Sequence, residues 1–303
     1  MLKSAITFLL LFIFLSAGAQ SPNMEWGEIQ YQNSKDKTRS TEAWAVDEEG
    51  YYVQQCTGFR CNLLKFNHQH EEIYREELFD EGKEKHYRFE KIVRTPSGIY
   101  GICNYRRAIL ILSHRYRFAK ITDKGVEFLT ELKQGHYEPK LNGQLKTSRD
   151  GSKIAYFEEI EVTEHSGLKK VFYVHVFDSN GKLLWDKRTK LSAKDNRILL
   201  DDLYVMNDGT LRITTRRLEK AMRRHEIPYQ YSILKITQED TEFFDVDLDE
   251  GLLIASAKII FEDSTGLPFI SGTFTHTEYR EFLQGVFSGK LNLREGKIDE
   301  LST

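Results

Sequence analysis

Phe172-Tyr173-Val174-His175-Val176-Phe177 is a run of aromatic and β-branched residues near the middle of the chain, and its alternation suits a half-buried strand. Turn sequences stand on both sides of it, Ser148-Arg149-Asp150-Gly151 before and Asp178-Ser179-Asn180-Gly181 after. Asp-Gly and Asn-Gly supply the positive φ angles that short hairpins need. The stretch therefore predicts four antiparallel strands, A to D, at residues 144–148, 153–162, 170–178 and 182–190.

The same unit returns along the chain at nearly constant spacing. A lysine followed by a bulky apolar residue marks strand C in four units, and His175-Val176 takes that place in the third; the four pairs are Lys65-Phe66, Lys120-Ile121, Lys235-Ile236 and Lys290-Leu291. Successive gaps are 55, 55, 60 and 55 residues. Repeats of this length indicate a supersecondary unit that buries its apolar face only by stacking on its neighbours.

These observations predict an all-β fold, a β-propeller of about five recognisable four-stranded blades. A pair of β-sandwiches is the alternative. Residues 24–31 repeat the pattern of strand D, with Trp26 where the third unit has Trp185. We expect them to pair with a blade edge, yet the fifth unit already has its own strand D near residues 297–301. The ring is therefore predicted to be incomplete or open.

The N-terminus has the pattern of a Sec-type signal peptide. Lys3 precedes an apolar run at residues 5–15, and small residues follow up to Ala19. The run is shorter than the roughly 20 residues that a membrane anchor needs, and no cysteine follows for lipid attachment. We predict a signal peptide at residues 1–19, a repeat domain at residues 20–303, and a periplasmic or secreted location without a membrane anchor.

The charge balance disfavours some partners. The chain has 43 Lys and Arg against 46 Asp and Glu; without Lys3 this becomes 42 against 46, a net charge of −4. Such a balance argues against nucleic acid and anionic membrane surfaces as partners.

Cys56 and Cys61 flank a four-residue segment between two strand-like stretches. Facing cysteines across such a hairpin can meet disulfide geometry, and an extracytoplasmic compartment allows the bond. Two reduced thiols in a blade core are the alternative.

Two pieces of the third unit resemble known blade motifs. Ser148-Arg149-Asp150-Gly151-Ser152-Lys153-Ile154-Ala155 is similar to the TolB-type repeat, and Phe177-Asp178-Ser179-Asn180-Gly181-Lys182-Leu183-Leu184-Trp185 is similar to the quinoprotein-type repeat. The whole chain resembles the uncharacterised, signal-bearing β-propeller proteins of Bacteroidota. That resemblance implies a propeller fold and an extracytoplasmic compartment, and it implies no catalytic residue.

The longest predicted loops, residues 104–114 and 217–228, both join strand B to strand C, so they share one face of the propeller. Long loops clustered on a rigid scaffold are where binding usually lies. The loops and their flanks carry a basic set suited to an acidic glycan, a phosphate or a carboxylate-bearing partner: Arg106, Arg107, His114, Arg216, Arg217, Arg223, Arg224 and His225. A solvated charged surface is the alternative.

Two other constellations fall short of a metal site. Asp245-Val246-Asp247-Leu248-Asp249 places three carboxylates on one side of a strand but lacks the glycine of an EF-hand. His68 and His70 share one side of an extended segment, with no third or fourth ligand in view. The sequence therefore predicts no metal and no cofactor.

Catalytic motifs are missing as well. The chain has no Gly-x-Ser-x-Gly elbow, no P-loop and no dinucleotide fingerprint, and the quinoprotein tryptophan motif occurs once. We predict a non-enzymatic extracytoplasmic binding or scaffold module for an unknown protein or glycan ligand. The alternative is a glycan-active hydrolase or lyase with carboxylates in the central funnel. Convergent acidic side chains at the funnel mouth would favour the enzyme.

Overall fold

The computed structural model describes residues 40–46, 48–57, 60–80, 85–105, 115–122, 125–132, 143–164, 167–190, 198–218, 229–248, 252–262, 266–276, 283–293 and 297–302. Within these ranges the backbone forms β-strands and no helix, so the predicted all-β class is confirmed. None of these segments provides a helix long and apolar enough to cross a membrane. The predicted signal peptide and the predicted strand at residues 24–31 lie outside the described residues.

The strands form five antiparallel sheets, each made of strands that follow one another in the chain. Sheet 1 contains β1 (Ser40–Val46), β2 (Gly50–Thr57), β3 (Arg60–Asn67) and β4 (Glu72–Glu77). Sheet 2 contains β5 (Phe79–Asp80), β6 (Lys85–Thr95), β7 (Gly98–Tyr105), β8 (Arg115–Thr122) and β9 (Gly125–Glu131). Sheet 3 contains β10 (Gln144–Thr147), β11 (Lys153–Glu164), β12 (Gly167–Asp178) and β13 (Leu183–Lys190).

The last two sheets follow the same plan. Sheet 4 contains β14 (Ile198–Val205), β15 (Leu211–Leu218), β16 (Tyr229–Ile236) and β17 (Thr241–Val246). Sheet 5 contains β18 (Leu252–Phe261), β19 (Pro268–His276), β20 (Gly285–Asn292) and β21 (Lys297–Ser302). This succession of meanders is the predicted five-bladed propeller architecture, and the fifth unit has its own strand D, as expected. Sheet 2 adds the two-residue strand β5, which the sequence did not predict.

The turn after β12 shows how the turn sequences build these hairpins. The carboxylate of Asp178 accepts hydrogen bonds from the backbone N–H groups of Asn180 and Lys182, at 2.9 Å each. Gly181 has a φ of 83°, a conformation that side chains disfavour. Aspartate and glycine together therefore close the hairpin and fix the register of β13 on β12.

Apolar layers hold each sheet to the next. One cluster joins sheets 1 and 2, and three others join sheets 2 and 3, 3 and 4, and 4 and 5. Their members include Tyr52, Phe89, Phe118, Phe177, Phe172, Ile213, Ile233 and Phe287. Burial of apolar side chains is the dominant favourable term in folding. None of the clusters formed by the described residues joins sheet 5 back to sheet 1.

The residue after each marker in strand C was expected to point into a layer between blades. This expectation is confirmed for Ile121, Ile236 and Leu291, which are at most 5% exposed and belong to these layers. In the third unit the register is one residue later. In the third unit Ile154 pairs with Phe177, just as Ile99 pairs with Ile121 in the second unit. Phe177, and not Val176, is therefore the residue equivalent to Ile121.

Among the described residues, one face of the fifth sheet carries exposed apolar side chains. Phe269 pairs with Lys290 in the same way that Tyr100 pairs with Lys120 in sheet 2. Tyr100 is fully buried by sheet 3, whereas Phe269 is 41% exposed, and Ile260 and Val286 nearby are more exposed still. The opposite end, in sheet 1, ends with Phe66 stacked on Tyr51. The five sheets thus form an open arc.

Matched substitutions at these equivalent positions test the open arc. We expect Phe269→Ser to lower the free energy of unfolding by less than about 1 kcal/mol, because an exposed ring loses little on truncation. Tyr100→Ser should lower it by about 3 kcal/mol or more, because its ring is buried between sheets. Urea denaturation followed by circular dichroism measures both changes. Equal losses would mean that a further surface covers sheet 5.

Cys56 and Cys61 form a disulfide across the β2–β3 hairpin, with their Cα atoms 4.1 Å apart. The predicted disulfide is confirmed, and the alternative of two reduced thiols is wrong. Cys103 in β7 is buried and free, and burial raises the pKa of its thiol.

Candidate functional site

The two described members of the predicted basic set, Arg216 and Arg217, lie at the edge of the sheets where strands B and C are joined. Arg216 and Arg217 are in β15, close to the end of that strand. The other predicted residues lie outside the described residues: Arg106, Arg107, His114, Arg223, Arg224 and His225. The loop-side edge is the edge of sheets 2, 3 and 4 at which strand B is joined to strand C. Its described residues are those at the ends of these strands.

Arg216 is held firmly by a carboxylate of the neighbouring strand. Its guanidinium donates to both carboxylate oxygens of Asp201, with Nε–Oδ2 and Nη2–Oδ1 distances of 2.8 and 2.7 Å. Both side chains are about one-third exposed or less. Bidentate pairs of this kind fix the orientation of both groups. Arg216 thus presents a fixed guanidinium, partly neutralised, at the loop-side edge.

Arg217 has a looser partner. Its Nη2 atom lies 3.5 Å from Oδ2 of Asp245, and both side chains are more than a third exposed. Exposed pairs at this distance contribute little to stability. Arg217 is therefore the described arginine that a ligand could engage at small cost.

The carboxylates considered for a cation serve other partners. Asp245 faces Arg217, and Asp247 accepts a hydrogen bond from Gln230 Nε2 at 2.8 Å. His68 contacts the carbonyl of Glu48, and His70 contacts the hydroxyl of Tyr51. Across the described ranges, no group of three or more His, Cys, Asp or Glu side chains is arranged to hold a metal ion.

Lys170 ties sheet 3 to sheet 4 at the same edge. Its ammonium lies 2.5 Å from Oε1 of Glu159 and donates to the carbonyl of Ile198 at 2.7 Å. The lysine side chain is only 12% exposed. A buried ammonium needs such partners because its desolvation is costly. The link fixes the start of β14 against sheet 3.

A buried polar cluster lies between sheets 2 and 3 near this edge. Oε1 of Glu90 accepts hydrogen bonds from Nε of Arg88 at 2.7 Å and from Nδ2 of Asn104 at 3.0 Å. The Glu90 side chain is 18% exposed and Asn104 is buried. Nothing in the sequence marks these residues, since Arg88 and Glu90 are separated by one residue on an ordinary strand.

Sheet 3 completes this cluster. Tyr116 of sheet 2 and Tyr156 and Glu158 of sheet 3 are each no more than 6% exposed. Burial, followed by the charges of Glu90 and Glu158, raises the pKa of Tyr116. Burial and the charge of Glu158 likewise raise the pKa of Tyr156 well above its usual value. Both tyrosines therefore remain protonated at neutral pH.

This cluster is poorly suited to catalysis. Phenols with raised pKa values are weak bases, and a general base must also reach the proton that it removes. Tyr156 has no exposed surface and Glu158 has little, so a polymeric substrate has no access to them as the sheets are packed. The hydrogen bonds that Glu90 accepts from Arg88 and Asn104 serve packing specificity. The only sequence signal was Glu158 directly after the apolar run Ile154-Ala155-Tyr156-Phe157.

Comparison with known proteins identifies no family for this chain. No protein-family profile and no curated protein sequence matches the chain. The Dos1 propeller structure is similar over 84% of this chain and 56% of its own length, at 9% identity and a TM-score of 0.44. An α-L-arabinofuranosidase from Lactobacillus brevis is similar over 84% of this chain and 91% of its own, at 6% identity and a TM-score of 0.37.

A third solved structure belongs to a polysaccharide lyase, an ulvan lyase of family PL25. It is similar over 88% of this chain and 72% of its own, at 10% identity and a TM-score of 0.40. Likenesses this distant carry no argument about what the chain binds or whether it is an enzyme.

Proposed function

We propose that this chain is a non-enzymatic, extracytoplasmic binding module whose ligand lies on the loop-side edge. One observation carries the proposal: Arg216 and Arg217 are held at that edge by surface carboxylates, while the carboxylate of Glu158 and its neighbouring phenols are buried between sheets. An edge built in this way is suited to recognition and poorly suited to acid–base chemistry.

The ligand class follows from the residues at that edge. Arg216 and Arg217 frame one end of the loop at residues 219–228, which contains Arg223, Arg224 and His225. Arg106, Arg107 and His114 occupy the corresponding loop of sheet 2. Guanidinium groups recognise carboxylate and phosphate oxygens in a planar, bidentate manner. An acidic glycan or an acidic protein segment is the proposed partner.

The proposed compartment has its own support. Disulfides persist in oxidising compartments, and Cys56–Cys61 is such a bond. The Sec-type pattern at residues 1–19 and the resemblance to signal-bearing propellers of Bacteroidota point the same way. We propose a periplasmic or secreted protein on these grounds.

The binding proposal predicts a charge-dependent interaction. We expect the chain to bind polygalacturonate or poly-L-glutamate, and to bind it more weakly as sodium chloride is raised. Arg223→Ala/Arg224→Ala should weaken that binding about thirtyfold, since the loss of two charge-assisted contacts at roughly 1 kcal/mol each removes about 2 kcal/mol of binding free energy. Biolayer interferometry with immobilised polyanion measures both effects.

The matched control removes two charges elsewhere. Lys182→Ala/Lys290→Ala changes the net charge equally at exposed positions of sheets 3 and 5, away from the loop-side edge. This variant should bind as the unchanged chain does. Equal weakening in both variants, or no binding of either polyanion, would contradict a site on this edge.

The rival function, a glycan-active hydrolase or lyase, is supported by the presence of Glu90 and Glu158 in one cluster. It requires that both carboxylates reach a substrate, and the burial of Glu158 opposes this. We expect no new reducing ends and no unsaturated uronate from acidic or neutral polysaccharides. Product formation that Glu90→Gln or Glu158→Gln abolishes would establish the rival.

A further inference from the structure

A cleft of about 510 Å³ lies between sheets 1 and 2, at the edge opposite the long loops. One wall is the β1–β2 turn with Glu48 and Glu49, and the other is the end of β6 with Arg94 and Pro96. Tyr52 and Lys65 are also among its lining residues. Small-molecule sites commonly have volumes of roughly 300–1,000 Å³. The cleft is large enough for a small ligand and distinct from the loop-side edge.

Lys65 is the most deeply buried charge in this cleft. Its side chain is 11% exposed, its ammonium lies 2.5 Å from Oε2 of Glu49, and it stands 5.3 Å from the centre of the Tyr52 ring. The side chain of Glu49 is 75% exposed. The carboxylate can therefore turn toward a ligand, while the lysine is held in place by the sheet and the ring.

A second pair of opposite charges lies on the rim. Nη2 of Arg94 is 3.9 Å from Oε1 of Glu48, and these side chains are 46% and 94% exposed. The cleft thus carries two cations and two carboxylates from Lys65, Arg94, Glu48 and Glu49. Its charge is balanced, so it offers hydrogen-bond donors and acceptors side by side without a strong net field.

Apolar groups supply the rest of the lining. Ile73 is 51% exposed at the cleft. Tyr74 beside it donates its hydroxyl to Glu76, and burial raises the pKa of this phenol. Pro96 faces the cleft from sheet 2. An apolar wall next to paired polar groups suits a ligand with both C–H faces and hydroxyls.

The cleft occurs between sheets 1 and 2 but is not repeated at the same position between sheets 2 and 3. In the next layer, Tyr100 stands where Tyr52 stands in sheet 1. A Cβ atom built on Gly181 would come within 2.8 Å of the Tyr100 ring and 2.4 Å of Leu129. That layer is therefore closed at the same position. The opening between sheets 1 and 2 is a feature of its own residues.

We propose that this cleft binds a neutral, hydroxyl-rich ligand, the end of an uncharged oligosaccharide. Hydroxyl groups both donate and accept, so they can bridge Glu49 and Lys65 or Glu48 and Arg94 without leaving a charge unpartnered. Because the two basic groups balance the two glutamates, the cleft has no net attraction for a polyanion or a polycation. The apolar wall formed by Ile73 and Pro96 packs against the C–H face of a sugar ring.

Calorimetric titration with neutral tetrasaccharides of xylose, mannose and glucose tests the cleft. We expect at least one of them to bind, with an affinity that is insensitive to sodium chloride. Lys65→Met keeps the buried chain length while removing the ammonium, and Arg94→Gln acts on the exposed rim. Each should weaken binding about tenfold, the loss expected for one charged hydrogen bond.

Arg75→Gln is the matched control, because Arg75 forms an equally simple pair with Glu72 in β4 and does not line the cleft. This variant should bind the sugar unchanged. Failure of all three tetrasaccharides to bind, strong salt dependence, or retained affinity in either cleft variant would overturn the proposal. Because these variants leave the loop-side edge intact, the polyanion experiment with Arg223→Ala/Arg224→Ala fails or succeeds separately.

Discussion

Replacement of Phe118 by alanine is expected to lower the free energy of unfolding by about 3–5 kcal/mol. Phe118 is fully buried between sheets 2 and 3. Its ring centre lies 3.9 Å from that of Phe177 and 5.6 Å from that of Tyr100, and both pairs are stacked. Alanine would leave a cavity that a β-sheet layer collapses into only partly. Urea denaturation followed by circular dichroism gives the change.

Val286→Ala is the control for this substitution. Val286 is 68% exposed on the open face of sheet 5, so its truncation should change the free energy of unfolding by no more than about 0.5 kcal/mol. A small change in the Phe118→Ala variant would mean that sheets 2 and 3 do not share a common core. The stacked-layer description of the arc would then be wrong.

The fold could be predicted from the sequence because its signals are local and repeated. Turn residues and alternating strands recur with each unit, and every repeat supplies a further instance of the same pattern. The pairing of Cys56 with Cys61 was predictable for the same reason, since four residues between two strands leave a hairpin as the simplest connection. Repetition also explains why the predicted number of sheets, five, is correct.

The register of the third unit was harder to predict. Every residue from Val171 to Phe177 is buried, so burial alone does not distinguish the face toward sheet 2 from the face toward sheet 4. A strand buried on both faces carries no polar alternation by which to fix its register. His175 was matched to the lysines by spacing, whereas backbone pairing shows that Val176 occupies their place.

Neither the cleft nor the buried cluster was visible in the sequence. Lys65 lies 16 positions from Glu49, and Glu90 is far from Glu158, so both sites arise from strands brought together across sheets. The repeat gives no indication that Lys65 lines a cleft, because its equivalents Lys120 and Lys235 are ordinary strand lysines. The basic character of the two long loops is visible in the sequence because their arginines lie close together in the chain, which is a one-dimensional signal.

The glycine that ends the β1–β2 turn links the stability of sheet 1 to its cleft. A Cβ atom on Gly50 would lie 1.8 Å from the carbonyl oxygen of Phe66 and 2.8 Å from Cα of Asn67, both backbone atoms of the paired strand. The φ of Gly50 is 156°, which side chains rarely adopt. We expect Gly50→Ala to lower the free energy of unfolding by about 3 kcal/mol or more, since backbone displacement adds to conformational strain.

Gly209 provides the comparison that separates these two causes. Its φ is 87°, yet a Cβ atom there would meet nothing closer than 3.5 Å, so Gly209→Ala should lower the free energy of unfolding by only about 1–2 kcal/mol, from strain alone. Thermal and urea unfolding of the two variants measure the difference. Equal losses would show that the Gly50 backbone is free to move away from Phe66. If the Gly50 backbone is instead held against Phe66, the alanine must displace the turn that carries Glu49. The Gly50→Ala variant should then also bind neutral tetrasaccharides more weakly at temperatures where it remains folded.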